Sequence, residues 1–237
     1  MEKSSFRKLL EYLRQNPLSA VITACIPILL AEVAVASVEI TNPYLESSAL
    51  WIFSSSICAQ GLTILVSVWS LRKVFQFKSE IVKKRSLRTW IEALYWIPVA
   101  GAGYYLLDYL QMLGSKMFPT WSLGEYPEID ILHKSQSVFE VSLMMFSMVI
   151  ATPIVEEIFF RGFCYRILRL KYGKTSSIAV LSLMFVLFHP IPSWVPMLIV
   201  ATIILCLSFE HRKNLLVPII IHSIMNLLSL LSLGKTT

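Results

Sequence analysis

The sequence predicts an all-α membrane protein, a polytopic bundle of about seven transmembrane helices with its N-terminus in the cytoplasm. Hydrophobic residues make up 56% of the 237 residues, the mean hydropathy is +0.66, and only 15% of residues are charged. Soluble domains carry roughly 25% charged residues. The apolar residues also fall into runs, several of them near the roughly 20 residues that cross a bilayer. These observations exclude a soluble globular domain.

The N-terminal segment, residues 1–16, is predicted to be a short amphipathic helix on the cytoplasmic side. Its leucines and its phenylalanine recur at helical spacing between lysines and arginines. This pattern is typical of helices that lie on an anionic membrane surface. A cleaved signal peptide is the alternative, because Ala34-Val35-Ala36 resembles a cleavage site. The long charged tail and Glu32, which interrupts the apolar run, favour the uncleaved form.

Seven apolar stretches follow, and residues 17–237 are predicted to form one transmembrane domain. The stretches are 18–40, 48–71, 89–113, 137–160, 175–189, 191–209 and 214–232. The fifth and sixth are short and meet at His189-Pro190-Ile191-Pro192. Proline cannot continue a helix and restricts the residue before it, so this tetrapeptide predicts a tight turn.

The basic residues predict the orientation. With the N-terminus inside, 18 of the 21 lysines and arginines fall on the cytoplasmic side, as the positive-inside rule requires. The C-terminus then lies outside. Because the net charge of +6 comes from short clusters between apolar runs, no nucleic-acid partner is expected. The expected location is a cytoplasmic membrane of bacterial type, with membrane lipids as partners.

The fourth stretch contains two adjacent carboxylates and an arginine in otherwise apolar sequence, Glu156, Glu157 and Arg161. Ionisable groups within the membrane are costly, and they are usually paired or functional. Glu placed four residues before Arg is the favourable order for an ion pair on one helix face. The spacing therefore predicts a structural pair of Glu157 with Arg161. It leaves Glu156, on an adjacent face, to be explained.

Two of the four histidines fall within predicted spans. His189 closes the fifth span, and His222 lies in the seventh, where Asn226 shares its helix face. Counted from the inner helix ends at ~1.5 Å per residue, Glu156 lies ~15 to 22 Å deep, His189 ~21 Å, His222 ~12 Å and Asn226 ~18 Å. Polar groups from three helices are thus predicted to lie at similar depths, in one layer of the membrane. This convergence favours a single water-containing site over scattered hydrogen bonds between helices.

A carboxylate, two imidazoles and a carboxamide are suited to hydrolysing an amide. Glu156 would act as general base on a water molecule. His222 and Asn226, on one helix face, would donate hydrogen bonds to the oxyanion that forms. His189 would hold the water or return a proton to the leaving amine. Since no GxSxG motif or other nucleophile motif is present, water is the expected nucleophile and no cofactor is expected.

A zinc site is the alternative, with Glu156, His189 and His222 as ligands and one open coordination position. No HExxH motif is present, and an asparagine amide is a poor zinc ligand, so the metal-independent site is favoured. The alternative from another class is a non-catalytic binding or immunity protein, or a carrier that uses the same groups as a proton relay. A carrier would be expected to show an internal repeat, and the sequence has none.

Three motifs in residues 140–230 together resemble those of a known family, the CPBP family of CAAX-protease and bacteriocin-processing intramembrane proteases, also called Abi. Its eukaryotic relatives include the type II CAAX prenyl endopeptidase. The family pattern is EExxxR, FxxxH and HxxxN, each in a separate membrane helix. It is present here, in order, as Glu156-Glu157 with Arg161, Phe185 with His189, and His222 with Asn226.

The resemblance implies an intramembrane endopeptidase of glutamic type, in a family historically classed as metalloendopeptidases. It implies that Glu156 and His189 activate the water and that His222 and Asn226 form the oxyanion hole. Glu157, Arg161 and Phe185 would support them. The implied substrates are membrane-associated proteins or peptides, with a lipidated or hydrophobic C-terminus as one class. Residues 1–135 match no motif of the family.

Overall fold

The computed structural model describes residues 8, 11–41, 61, 87–117, 137–189 and 195–233. All regular structure within these residues is helical. After a short helical stretch at 11–15, the helices are α1 (Pro17–Thr41), α2 (Leu87–Met117), α3 (Val138–Leu168), α4 (Lys174–Leu187), α5 (Val195–Arg212) and α6 (Leu216–Leu233). The predicted second span, 48–71, lies outside the described residues apart from Gly61, as does most of the outside loop 114–136.

The chain divides into two units. The first consists of Met1–Lys78 with Tyr126–Gly173, and the second of Ser79–Glu125 with Lys174–Thr237. The first unit therefore contains the EExxxR motif, and the second contains FxxxH and HxxxN.

In the first unit, α1 packs against the C-terminal turn of α3. The side of α1 that carries Val21, Cys25 and Ile28 is buried, because these residues are three or four apart and share one helix face. Just before α1, the backbone carbonyl of Gln15 accepts a hydrogen bond of 2.8 Å from Lys171 Nζ. This bond joins the N-terminal segment to the turn that follows α3.

Helix α3 is long and starts at a defined cap. The Ser137 side chain accepts a hydrogen bond from the backbone N–H of Glu140, which satisfies one of the unpaired donors at a helix N-terminus. The helix contains two π-helical segments, Ser147–Ala151 and Ile158–Cys164, on either side of the α-helical turn Thr152–Glu157. Pro153 gives a reason for the first segment, because it lacks an N–H and its ring crowds the carbonyl four residues earlier.

In the second unit, α2 packs against α5 and α6, α4 packs against α5, and α5 packs against α6. An apolar cluster joins α2, α5 and α6, formed by Ala100, Ile204, Leu205, Val217, Ile221 and Met225. Helix α2 approaches α5 closely at Gly103, where a Cβ atom would lie 3.0 Å from Ile204 Cδ1. Asn214 caps α6, since its Oδ1 accepts the backbone N–H of Leu216 at 2.9 Å.

The six described helices correspond in order to six of the seven predicted spans, with shifted ends. Helix α3 continues to Leu168, beyond the end of the fourth apolar stretch at 160, and α5 is described from Val195, since residues 190–194 lie outside the described residues. One described helix, Val138–Leu168, is long and apolar enough to cross a membrane by itself, and Pro17–Leu30, Lys174–Leu187, Val195–His211 and Leu216–Leu231 are shorter apolar helices. The count of seven spans and the orientation stay predictions.

Candidate active site

The carboxylate part of the predicted site lies on α3, in the α-helical turn between the two π-helical segments. Glu157 and Arg161 form an ion pair there, in which Arg161 Nη1 donates to Glu157 Oε1 at 2.8 Å. Both side chains are 0% exposed. The pair that the four-residue spacing predicts is therefore present, and it is fully enclosed within the first unit.

Glu156 occupies a different environment from its neighbour. Successive helical residues project about 100° apart, so Glu156 points away from the buried pair, and it is only partly buried whereas Glu157 is buried. The side chains of the two adjacent carboxylates thus differ in how far they are buried.

The imidazole part of the predicted site lies in the second unit. His189 follows the last turn of α4, where its backbone N–H donates to the carbonyl of Val186 at 2.9 Å. Its ring Nδ1 lies 2.8 Å from the carbonyl oxygen of Phe185. A carbonyl can only accept, so Nδ1 carries the proton in this hydrogen bond. In the neutral ring, Nε2 is then the atom that can accept a proton or bind a metal ion.

Phe185 lies between the two histidines of the motifs. Its ring centroid is 4.6 Å from that of His189 in a tilted arrangement, and 6.2 Å from that of His222 in an edge arrangement. Phe185 and His222 are both buried. His222 is carried by α6 and not by α4, so this contact brings two of the predicted site residues together from two helices.

Asn226 lies on α6 four residues after His222, and it is partly buried. Residues four apart in a helix share a face, so the amide and the imidazole project from the same side of α6. The second unit thus contains His189, His222 and Asn226 together with Phe185, while the first contains Glu156, Glu157 and Arg161. The predicted convergence of Glu156 with the second group stays a prediction.

The residues that could hold a metal ion are three of the predicted site residues, Glu156, His189 and His222. Within either unit, the part of the chain that the structure describes contains no group of three or more His, Cys, Asp or Glu side chains placed to hold an ion. The zinc alternative needs Glu156 together with His189 and His222, and so it needs both units. The hydrogen bond from His189 Nδ1 to a backbone carbonyl is also the partner that metal-bound histidines commonly have.

Sequence reasoning did not find three buried hydroxyl groups of the second unit, on Ser177, Ser182 and Thr202. Serine and threonine are common in membrane helices, where they usually bond to their own backbone. Their residue type therefore did not distinguish these three residues from other serines and threonines in the sequence. Only the structure shows which of them are buried.

Residues 138–228 match the family model described as type II CAAX prenyl endopeptidase, Rce1-like. No curated protein and no solved structure matches the chain. The matched segment contains all three motifs, and the family is one of membrane-embedded proteases. Residues 138–228 are therefore similar to the type II CAAX prenyl endopeptidase family, in the part of the chain that contains the three motifs.

Proposed function

We propose that this chain is an intramembrane endopeptidase of glutamic type, which hydrolyses peptide bonds with a water molecule activated by Glu156. The contrast between the two adjacent carboxylates carries the proposal. Glu157 is enclosed with Arg161, and its charge is balanced there, whereas Glu156 is only partly buried. A general base must reach both water and substrate, and of the two carboxylates Glu156 is the less enclosed, although its Oε2 is itself buried.

His189 is proposed to work with Glu156 on the same water molecule. The bond from its Nδ1 to the Phe185 carbonyl fixes the ring orientation and makes Nε2 the acceptor of the neutral imidazole. Nε2 can then hold the attacking water molecule by accepting a hydrogen bond from it. Once protonated, the same atom can donate to the leaving nitrogen.

His222 and Asn226 are proposed to stabilise the oxyanion. An imidazole N–H and an amide NH2 are both donors, and they project from one side of α6. Donors that are already oriented stabilise the developing negative charge without reorganisation during the reaction. Phe185 supports both histidines, because its ring contacts each imidazole ring.

The reaction then proceeds in two steps. Glu156 accepts a proton from the water molecule, and the water oxygen attacks the carbonyl carbon, so that the carbonyl oxygen becomes an oxyanion held by His222 and Asn226. A proton passes from Glu156 or His189 to the amide nitrogen as the tetrahedral intermediate collapses. The C–N bond breaks, which releases a carboxylic acid and an amine.

The proposed substrates are membrane-associated proteins or peptides, including those with a lipidated or hydrophobic C-terminus. Buried charges on α3 and exposed apolar faces on α1 and α2 suit a multi-pass protein embedded in lipid. The proposed location is a bacterial cytoplasmic membrane, with the active site open toward the cytoplasm. No cofactor is proposed.

The test is the replacement Glu156→Gln, which keeps the size of the side chain and removes its basicity. The purified protein is incubated with a peptide library that includes prenylated and unmodified hydrophobic C-termini, and products are identified by mass spectrometry. We expect the cleavage rate to fall by about 10²-fold or more, with an unchanged melting temperature. Glu140→Gln, on the same helix but outside the motif, is the matched control and should cleave normally. Full activity of Glu156→Gln would remove Glu156 from the mechanism.

The zinc-dependent alternative has one observation in its favour, the carbonyl partner of His189 Nδ1. In that mechanism Glu156, His189 and His222 would hold the ion, which would polarise the substrate carbonyl and acidify the bound water. A zinc chelator distinguishes the two mechanisms. Cleavage that survives dialysis against the chelator supports the glutamic mechanism. Cleavage that is lost and then restored by added zinc would establish the metal-dependent one.

A further inference from the structure

Three buried hydroxyl groups of the second unit have no hydrogen-bond partner among the residues that the structure describes, Ser177, Ser182 and Thr202. These residues are 0%, 5% and 0% exposed. Ser142 and Ser208 show the ordinary arrangement, in which the hydroxyl donates to a backbone carbonyl of its own helix, Val138 or Leu205. The three hydroxyls of α4 and α5 differ from this pattern.

A buried hydroxyl without a partner is unfavourable, because it loses its hydrogen bonds to water and gains none from the protein. Internal water molecules commonly satisfy such groups. Helices α4 and α5 pack against each other, and each contributes to the set. Three hydroxyl groups on two neighbouring helices therefore favour internal water as their partner.

Ser177 and Ser182 lie in order along α4, between the exposed start of the helix and His189. Residues 173–176, at the start of this helix, are exposed, and Ser177 is the first buried polar residue after them. Ser182 follows on the buried face, which continues through Phe185 toward His189. The steps from Ser177 to Ser182 and from Ser182 to His189 correspond to ~7.5 Å and ~10.5 Å along the helix axis. Ser177 and Ser182 also lie about 140° apart around the helix, so these axial distances are minimum values and each step needs at least two or three water molecules spaced ~2.8 Å apart.

We propose that Ser177, Ser182 and Thr202 bind a file of water molecules between α4 and α5, and that this file supplies the reacting water to His189. Intramembrane hydrolysis consumes one water molecule per bond in surroundings that exclude water. Apolar residues, Ile178 and Leu181, share the buried face of α4, so the hydroxyls are the groups that can hold water there. The supply step rests on the proposed hydrolytic function, whereas the binding of water does not.

Radiolytic footprinting in ¹⁸O-labelled water tests the binding. An X-ray pulse turns water into hydroxyl radicals where it lies, and these oxidise the side chains that they touch. Leu181 and Leu205 form a matched pair, since both are 0% exposed. Leu181 adjoins Ser182 in the chain, while Leu205 belongs to the apolar cluster. We expect Leu181 to incorporate ¹⁸O several-fold faster than Leu205. Equal, slow labelling of both residues would overturn the proposal.

Two replacements of Thr202 test the supply step. Thr202→Val keeps the shape and removes the hydroxyl, while Thr202→Ser keeps the hydroxyl. We expect Thr202→Val to slow the labelling of Leu181 and to lower kcat about tenfold, with KM and melting temperature unchanged. Thr202→Ser should stay near the original kcat. A purely structural hydroxyl predicts instead that Thr202→Val is as active as the original protein.

The outcomes separate the two proposals. Slower labelling of the Thr202→Val variant with an unchanged kcat would overturn the supply step and leave the water site standing. An inactive original protein with rapid labelling of Leu181 would contradict the proposed function and the supply step that rests on it, and would leave the water site standing. Full activity of Glu156→Gln would likewise leave the water site unaffected, because the footprint is measured without substrate.

Discussion

Glu156 and Glu157 are adjacent in the sequence, and yet they have different surroundings in the structure. Rotation by about 100° per residue turns Glu157 into the interior, where Arg161 balances its charge, and leaves Glu156 partly exposed. The buried pair also explains how a charged segment can continue within an apolar helix. An unbalanced charge in that interior would be far more costly than the pair.

The buried ion pair leads to a prediction about stability. Glu157→Gln leaves the Arg161 guanidinium buried without its counter-charge, and breaking a buried pair in this way costs about 3–5 kcal/mol. We expect a markedly lower apparent melting temperature and a lower yield, which can be measured in detergent by intrinsic fluorescence. Activity per folded molecule should fall less than it does in Glu156→Gln.

An exposed pair and a double replacement serve as controls. Lys213 is paired with Glu210, and its side chain is 50% exposed. Lys213→Met should therefore change the melting temperature little, since exposed pairs contribute about 0–1 kcal/mol. The double variant Glu157→Met with Arg161→Met removes both charges and should recover part of the lost stability. Normal stability of Glu157→Gln alone would contradict the proposed structural role of the pair.

The sequence predicted this ion pair because both partners lie on one helix, where a spacing of four residues determines which side chains meet. It could not predict the contact of Phe185 with His222, since those rings lie on different helices. The sequence also could not predict that Nδ1 is the ring nitrogen of His189 that carries the proton. This depends on which backbone carbonyl the ring meets at the end of α4, and residue types alone do not determine that.

At the scale of helices, hydropathy predicted the existence and order of the described helices better than their ends. The fourth apolar stretch stops at 160, just before Arg161, whereas α3 continues to Leu168 with Arg161 paired to Glu157 inside the helix. The π-helical segments were not predicted, because apolar periodicity does not distinguish a single π turn from an α turn. Such segments frequently occur at functional sites, and here they flank the turn with both carboxylates.

The crossing of α2 with α5 leads to a second prediction. At Gly103 an added Cβ would lie 3.0 Å from Ile204 Cδ1, whereas at Gly101 it would meet nothing within 4 Å among the described residues. Small residues let membrane helices approach closely. We expect Gly103→Val to lower the apparent melting temperature, because its branched side chain must push the two helices apart.

Gly101→Val is the matched control for this prediction. Both glycines lie in α2, so both replacements change the helix propensity alike, and the difference between them isolates the packing at the crossing. Gly103→Ala should have an intermediate effect, since the end of the flexible Ile204 side chain can move slightly. Equal melting temperatures for the two valine variants would show that the crossing does not limit stability.

At the scale of the whole molecule, exposed apolar side chains indicate which solvent surrounds the protein. Large apolar residues are exposed on one side of α1, among them Ile22, Ile26 and Leu30, and others are exposed on α2. Extended apolar surface of this kind is unfavourable in water and favourable in lipid. The family match through residues 138–228 supports the same conclusion, that the chain is a membrane protein.

The orientation in the membrane is the prediction that applies to the entire chain. With seven spans, 18 of the 21 lysines and arginines fall on one side of the membrane, and the positive-inside rule assigns that side, with the N-terminus, to the cytoplasm. Alkaline phosphatase is active only outside a bacterial cytoplasmic membrane, and green fluorescent protein exported in an unfolded form does not fluoresce there. Fused after Thr237, phosphatase should be active. Fused after Lys213, in the turn between α5 and α6, only the fluorescent protein should give a signal. Inside signals at both positions would require an even number of spans and would place one predicted helix outside the bilayer.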